Sequence, residues 1–171
     1  MEHLKALIRD VPDFPTRGIL FRDVTPLLRD PGAFAEVVQT LAERYRGQRI
    51  DAVAGIESRG FLFGAPLAMA LGAGFIPIRK IGKLPGEKVS REYALEYGTN
   101  TLEMHRDAAR PGERVLLIDD LLATGGTAAA AAALLGDVGA EVAEIAFVVE
   151  LTLLPGRAAL AGHAVHSLLT Y

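Results

Sequence analysis

The sequence predicts an α/β fold in which a central parallel sheet is flanked by helices. Three observations carry that expectation. Stretches with strand character alternate with stretches of helix character along the chain, the order that builds a parallel sheet with right-handed crossovers. The run Val115-Leu116-Leu117-Ile118 is apolar at every position, which suits a strand buried on both faces. That run leads through Ala123-Thr124-Gly125-Gly126-Thr127 into the helix-forming alanine stretch 128–133.

Taken in order, residues 3–9 read as a short helix ended by Pro12. Residues 13–28 are apolar but irregular, because Pro15, Gly18 and Pro26 break both periodicities, so they suit a cap over something. Asp30-Pro31 reads as an N-cap followed by the first helical position, and Phe34, Val37, Val38 and Leu41 form the apolar stripe of that helix. Residues 44–47 end it. Residues 50–56 read as a strand, 57–60 as a loop, 61–71 as a helix and 75–78 as the next strand. Residues 89–97 and 101–105 alternate as in a β-hairpin, with the turn at 98–100. After the turn 110–112 come the apolar strand and the alanine-rich helix. Residues 142–150 and 165–169 read as the last strands, with a loop at 151–156 and a helical turn at 157–160 between them.

The chain has 171 residues, half of them hydrophobic, which fits one domain with a sizeable core. The net charge of −3 gives no footing for nucleic acid or an anionic membrane. There is no cysteine, hence no disulfide, no thiolate nucleophile and no cysteine-based zinc site, which suits a cytoplasmic location. The N-terminus lacks the pattern of a signal peptide. Residues 60–78 are uncharged and long enough to span a bilayer, but four glycines and two prolines interrupt them, so no membrane helix is expected.

The candidate chemistry lies where the apolar strand ends, the edge at which open α/β sheets bind ligands. Two carboxylates, Asp119 and Asp120, precede the glycine loop. Neighbouring side chains on a strand point to opposite faces, so for both to serve one ligand the chain must already be turning there. Thr124, Gly125, Gly126 and Thr127 offer backbone donors, hydroxyls and a helix N-terminus to an anion. Carboxylates would repel that anion at close range but accept hydrogen bonds from a sugar diol. A diol at one end and a phosphate at the other describe a ribose 5-phosphate. The spacing is neither that of a Walker loop nor that of the G-x-G-x-x-G fingerprint. Glu57-Ser58-Arg59-Gly60 follows another strand and should open on the same edge, with the Arg59 fork suited to phosphate oxygens.

The string D-D-L-L-A-T-G-G-T resembles the phosphoribosyl-pyrophosphate (PRPP) motif of the type I phosphoribosyltransferases, in the form of the adenine phosphoribosyltransferase subgroup. G-I-E-S-R-G-F-L-F-G resembles the pyrophosphate loop of that subgroup, and R-K-I-G-K-L-P-G with Y-A-L-E-Y-G resembles its mobile loop. The resemblance implies a fold with a hood over about residues 10–30 and a mobile hairpin over about 79–100, in a single domain spanning 1–171. It implies that Asp119 and Asp120 hold the ribose hydroxyls and that Ala123, Thr124, Gly125, Gly126 and Thr127 hold the 5-phosphate. It further implies that Ser58, Arg59, Arg79, Lys80 and Lys83 attend the pyrophosphate. Glu96 would be the general acid/base on the purine, beside Tyr97. Phe21 would stack on the base, the backbone of Arg22 would read its edge, and Leu151 would pack on its other face. The implied reaction converts adenine and PRPP to AMP and pyrophosphate, with Mg²⁺ carried by PRPP oxygens and water rather than by a protein cage, in a homodimer. Two alternatives remain open at this point: another purine base, or a PRPP-sensing regulator without catalysis. His3, His105, His163 and His166 show no metal-ligand spacing and read as structural or surface residues.

Overall fold

The computed structural model describes residues 1–94 and 98–171. A short 3₁₀ helix, Glu2–Leu7, leads into β1 (Arg9–Pro12), which pairs antiparallel with β2 (Leu20–Asp23). Helices α1 (Thr25–Arg29) and α2 (Pro31–Tyr45) follow, then β3 (Ala52–Ile56), α3 (Arg59–Leu71) and β4 (Gly74–Lys80). The antiparallel pair β5 (Lys88–Ala94) and β6 (Thr99–His105) comes next. The chain closes with β7 (Arg114–Leu122), α4 (Gly126–Asp137), β8 (Glu141–Glu150), α5 (Gly156–Ala159) and β9 (Val165–Thr170).

The main sheet runs β5-β6-β4-β3-β7-β8-β9. The five strands from β4 to β9 are parallel, and β6 joins β4 antiparallel. This is the expected α/β architecture with a parallel centre. Strand parity divides the core into two layers. Val115 and Leu117 face the α4 side with Ile56, Ile145 and the buried alanines of α4. Leu116 and Ile118 face the other side, with Phe63 and Leu67 of α3 and Val37 and Leu41 of α2. The alanines let α4 approach the sheet closely at little cost in side-chain entropy. Asp30 caps α2 by accepting the Ala33 N–H at 2.9 Å, a contact worth about 1 kcal/mol.

Several local expectations change. Residues 13–28 contain β2 and α1 rather than being irregular throughout. Asp13 accepts the Gly18 N–H at 2.6 Å and helps to close the β1–β2 hairpin, an interaction that periodicity does not reveal. Thr99 and Asn100, expected in a turn, belong to β6, opposite Ala94 and Tyr93. His163 precedes β9, and His166 lies within it. The apolar stretch 60–78 divides between α3 and β4, and among the described residues no helix is long and apolar enough to cross a membrane.

Candidate active site

β7 outruns its neighbour β3. The β3–β7 ladder ends at Gly55 opposite Ile118, while β7 stays paired with β8 as far as Leu122. Asp119 and Asp120 therefore lie inside a strand rather than after it, correcting the expected turn at that point. The β3 side of that strand end is left to the 57–60 loop, and both carboxylates line the cavity formed there. By strand parity Asp120 shares the face of Leu116 and Ile118, the α3 side, and it ion-pairs with Arg59 Nε at the start of α3. The Asp120 side chain is only 4% exposed, so Arg59 is the partner that offsets its burial. Asp119 Oδ1 accepts the Asp120 backbone N–H at 2.9 Å. Burial first, and the Asp120 charge second, push the Asp119 carboxyl well above its ordinary range.

After Leu122 the chain turns through residues 123–125 into α4. Gly125 adopts φ +82°, and a Cβ there would lie 2.5 Å from the Gly156 carbonyl oxygen. A Cβ on Gly156 would in turn collide with the Ala123 carbonyl oxygen. Two glycines thus let the α5 turn press against the loop and hold its backbone at the mouth of α4.

These elements enclose a cavity of about 370 Å³. Ser58, Arg59, Lys80, Asp119, Asp120, Ala123, Thr124, Gly125 and Thr127 all line it, so most of the residues singled out in the sequence meet in one place. Gly126 follows as the first residue of α4. Arg79 and Lys83 are not among the lining residues. Arg79 donates to both oxygens of Glu57 at 3.2 Å, and its Nη1 donates to the Lys83 carbonyl at 3.0 Å. The Lys83 residue is exposed. Burial favours the neutral acid at Glu57, but Arg79 and the Lys80 N–H outweigh it and hold the carboxyl below its usual value.

Phe21, on β2, lies beside the site, with the Arg59 guanidinium carbon 5.2 Å from its ring centre. Phe14 meets Phe21 edge-on at 5.1 Å. The Arg22 side chain pairs with Asp10 and lies 4.2 Å over the Tyr171 ring. Leu151 is half-buried, packs against the α3-side core and donates its N–H to the Leu122 carbonyl at 2.9 Å. Glu96 and Tyr97 lie outside the described residues. The cavity also exposes Glu57, Tyr93 and Asn100, to which sequence reasoning gave no role. Glu57 stood in a recognised loop, but the Tyr93–Asn100 pair depends on the hairpin register, which no motif displays.

A carboxylate pair and a glycine loop at one end of a helix, with an arginine beside them, form the arrangement inferred for a ribose 5-phosphate ligand. The model of the phosphoribosyl transferase domain matches residues 24–157. The chain belongs to this family. It is 59% identical over 169 residues to the adenine phosphoribosyltransferase of Roseiflexus sp. (strain RS-1), covering 99% of this chain and 98% of that one. Among solved structures, the phosphoribosyltransferase fold seen here superimposes on adenine phosphoribosyltransferase from Thermoanaerobacter pseudethanolicus with a TM-score of 0.97, at 52% identity over 99% of both chains. The Saccharomyces cerevisiae enzyme, solved with an imino-altritol bisphosphate and adenine, gives 0.92 at 43% identity, covering 98% of this chain and 97% of that one.

Proposed function

We propose that this chain acts in purine salvage, transferring the 5-phosphoribosyl group of PRPP to N9 of adenine to give AMP and pyrophosphate. The single observation that carries this is the shared cavity of the Asp119-Asp120 pair, the 123–127 loop and the Ser58-Arg59 loop. Relatives named for this activity match along nearly the whole chain. Asp119 and Asp120 accept hydrogen bonds from the ribose hydroxyls. The backbone donors of residues 123–127 and the hydroxyls of Thr124 and Thr127 take the 5-phosphate at the head of α4. Ser58, Arg59 and Lys80 attend the pyrophosphate, and Arg79 and Lys83 join them if the loop 79–100 closes over the site. The C1–O bond to pyrophosphate breaks as C1 becomes oxocarbenium-like, and adenine N9 forms the new bond from the opposite face. Positioning and charge stabilisation supply the catalysis. Closure would keep water from the electron-poor sugar.

Glu96 serves as general acid/base on the purine. Phe21 and Leu151 sandwich the base, and the backbone of Arg22 reads its edge. Adenine offers N1 as acceptor and its amino group as donor. A 6-oxo purine reverses that pair and would leave buried groups unmatched. The roles of Glu96, Leu151 and Arg22 rest on the family resemblance.

Among the described residues no three His, Asp or Glu side chains converge on a metal-sized point. The carboxylates of the cavity are hard oxygen donors, which suits the waters of a Mg²⁺ brought in on PRPP. Bound there, the ion would offset the charge of the leaving pyrophosphate. The chain works as a single domain of 1–171, with a hood over about 10–30 and a mobile loop over about 79–100. A homodimer fits the exposed apolar side chains of α3, Leu62 at 47% and Met69 at 84% exposure, as a face covered by a second copy. The absence of cysteine suits a cytoplasmic location. Incubating the purified protein with Mg²⁺, PRPP and each purine base tests the reading. AMP from adenine alone is expected, and turnover of hypoxanthine or guanine instead would overturn the base assignment.

A further inference from the structure

Two side chains of the cavity, Tyr93 and Asn100, have no part in the reaction just described. They stand directly opposite in the antiparallel β5–β6 ladder and so share one face of the sheet. On its other side β6 adjoins β4, with Lys80 opposite Leu102 and the Ile81 N–H donating to the Thr101 carbonyl at 3.0 Å. Alternation then puts Lys80, Leu102 and Asn100 on the same face. It is the face turned to α4, since Leu102 is buried in the α4-side core and Arg91, opposite Leu102, reaches Asp137 on α4 at 2.6 Å. Arg79 takes the other face, where Glu57 engages it. The wall next to the Ser58-Arg59 loop is therefore Lys80 with Asn100 nearby.

The Asn100 amide has a defined orientation. Its Oδ1 accepts the Thr101 backbone N–H at 2.8 Å. A backbone N–H can only donate, so the oxygen occupies that side and the NH₂ group the other. Among the described residues, no protein acceptor engages that NH₂ group. Three parts of PRPP compete for a donor here. The ribose hydroxyls already donate to Asp119 and Asp120, and the 5-phosphate has the backbone donors of the 123–127 loop. The pyrophosphate remains, with oxygens that call for donors beyond Arg59 and Lys80.

Resting on the transferase reading, we infer that Asn100 contacts the leaving pyrophosphate, its Nδ2 donating to a phosphate oxygen beside Lys80. Tyr93 stands directly opposite Asn100 in the ladder, and a Cβ added to Gly126 would meet its ring at 3.9 Å, so the ring stands against the first residue of α4. The contact binds pyrophosphate and PRPP and has no bearing on adenine.

The test compares Asn100→Ala and Asn100→Asp with the wild type. Asp keeps the acceptor for Thr101 and turns the free donor into an anionic oxygen, while Ala removes the donor and adds no charge. KM values for PRPP, adenine and pyrophosphate are measured in both directions, together with calorimetric titration of magnesium pyrophosphate and a melting curve. The expected result is an approximately tenfold weaker response to PRPP and pyrophosphate in Asn100→Ala, a larger loss in Asn100→Asp, and an adenine KM that stays put. Wild-type pyrophosphate binding in Asn100→Ala overturns the assignment, because charge alone would then explain Asn100→Asp. So does an equal loss for adenine, the mark of general distortion, or a wild-type protein that does not bind magnesium pyrophosphate. If the wild type forms no AMP, the transferase reading falls, and the pyrophosphate titration still decides Asn100.

Discussion

Replacing Asp119 with Asn should raise the stability of the protein while it lowers the activity. Asp119 is half-buried beside a second carboxylate, and desolvation followed by the Asp120 charge raises its pKa. Its Oδ1 accepts the Asp120 N–H at 2.9 Å, and Asn can keep that contact with nearly the same shape. The substitution therefore removes a half-buried, partly desolvated charge without opening a cavity. A carboxyl whose folded pKa lies above its unfolded one stabilises the fold below the unfolded pKa, and that contribution is lost as pH rises through the folded pKa. Above the unfolded pKa the raised folded pKa costs the wild type stability whichever form Asp119 takes, so at pH 7.5 Asn should gain on the order of 1–3 kcal/mol. For a chain of this size that is roughly 2–10 °C in melting temperature. Near pH 4, where the wild-type side chain is protonated, the gain should vanish. Losing a charge-assisted bond to a ribose hydroxyl costs about 1.5–3 kcal/mol, roughly 10–150-fold in kcat/KM for PRPP. Scanning calorimetry at both pH values, with PRPP kinetics at the higher one, reads both effects. A variant no more stable than wild type at pH 7.5, or equally stabilised at both, would refute the reasoning.

Other perturbations test other parts of the site. Arg59→Ala leaves the Asp120 carboxylate without its ion-pair partner. Because the Arg59 side chain is 42% exposed, solvent screens part of the loss, so the melting temperature should fall by a few degrees, about 1–2 kcal/mol, and the KM for PRPP should rise. Gly156→Ala drives a methyl group at the Ala123 carbonyl, so the KM for PRPP should rise at least about tenfold while that for adenine moves little. Glu57→Gln weakens the hold on Arg79. Because the folded pKa of Glu57 is depressed, its stabilisation is present above the unfolded pKa and lost as pH falls through the folded one, so the variant should match wild type in acid melts and fall below it at neutral pH.

The sheet and the position of the 123–127 loop at the head of α4 were legible because each rests on local sequence. The run 115–118 is apolar at every position, and the β7 segment that contains it is indeed buried on both faces. The 123–127 loop needs a glycine at 125, where φ is +82° and a Cβ would lie 2.5 Å from the Gly156 carbonyl oxygen. What stayed hidden depends on partners remote in sequence. That β7 continues past Ile118 follows from where β3 stops, which no residue of β7 records. Arg79, Lys80 and Lys83 look alike as a basic cluster, but strand parity gives Arg79 to Glu57 and Lys80 to the cavity. The β1–β2 hairpin depends on the Asp13 side chain accepting the Gly18 N–H, which neither helical nor strand periodicity encodes.

The central claim is a pentosyl transfer, and ³¹P nuclear magnetic resonance of PRPP turnover tests it most directly. With Mg²⁺ and adenine, the PRPP signals should give way to equimolar AMP and inorganic pyrophosphate, and adding pyrophosphate and AMP should drive the reaction back. PRPP that stays unchanged while it binds the protein, or that yields ribose 5-phosphate and pyrophosphate without AMP, would contradict it.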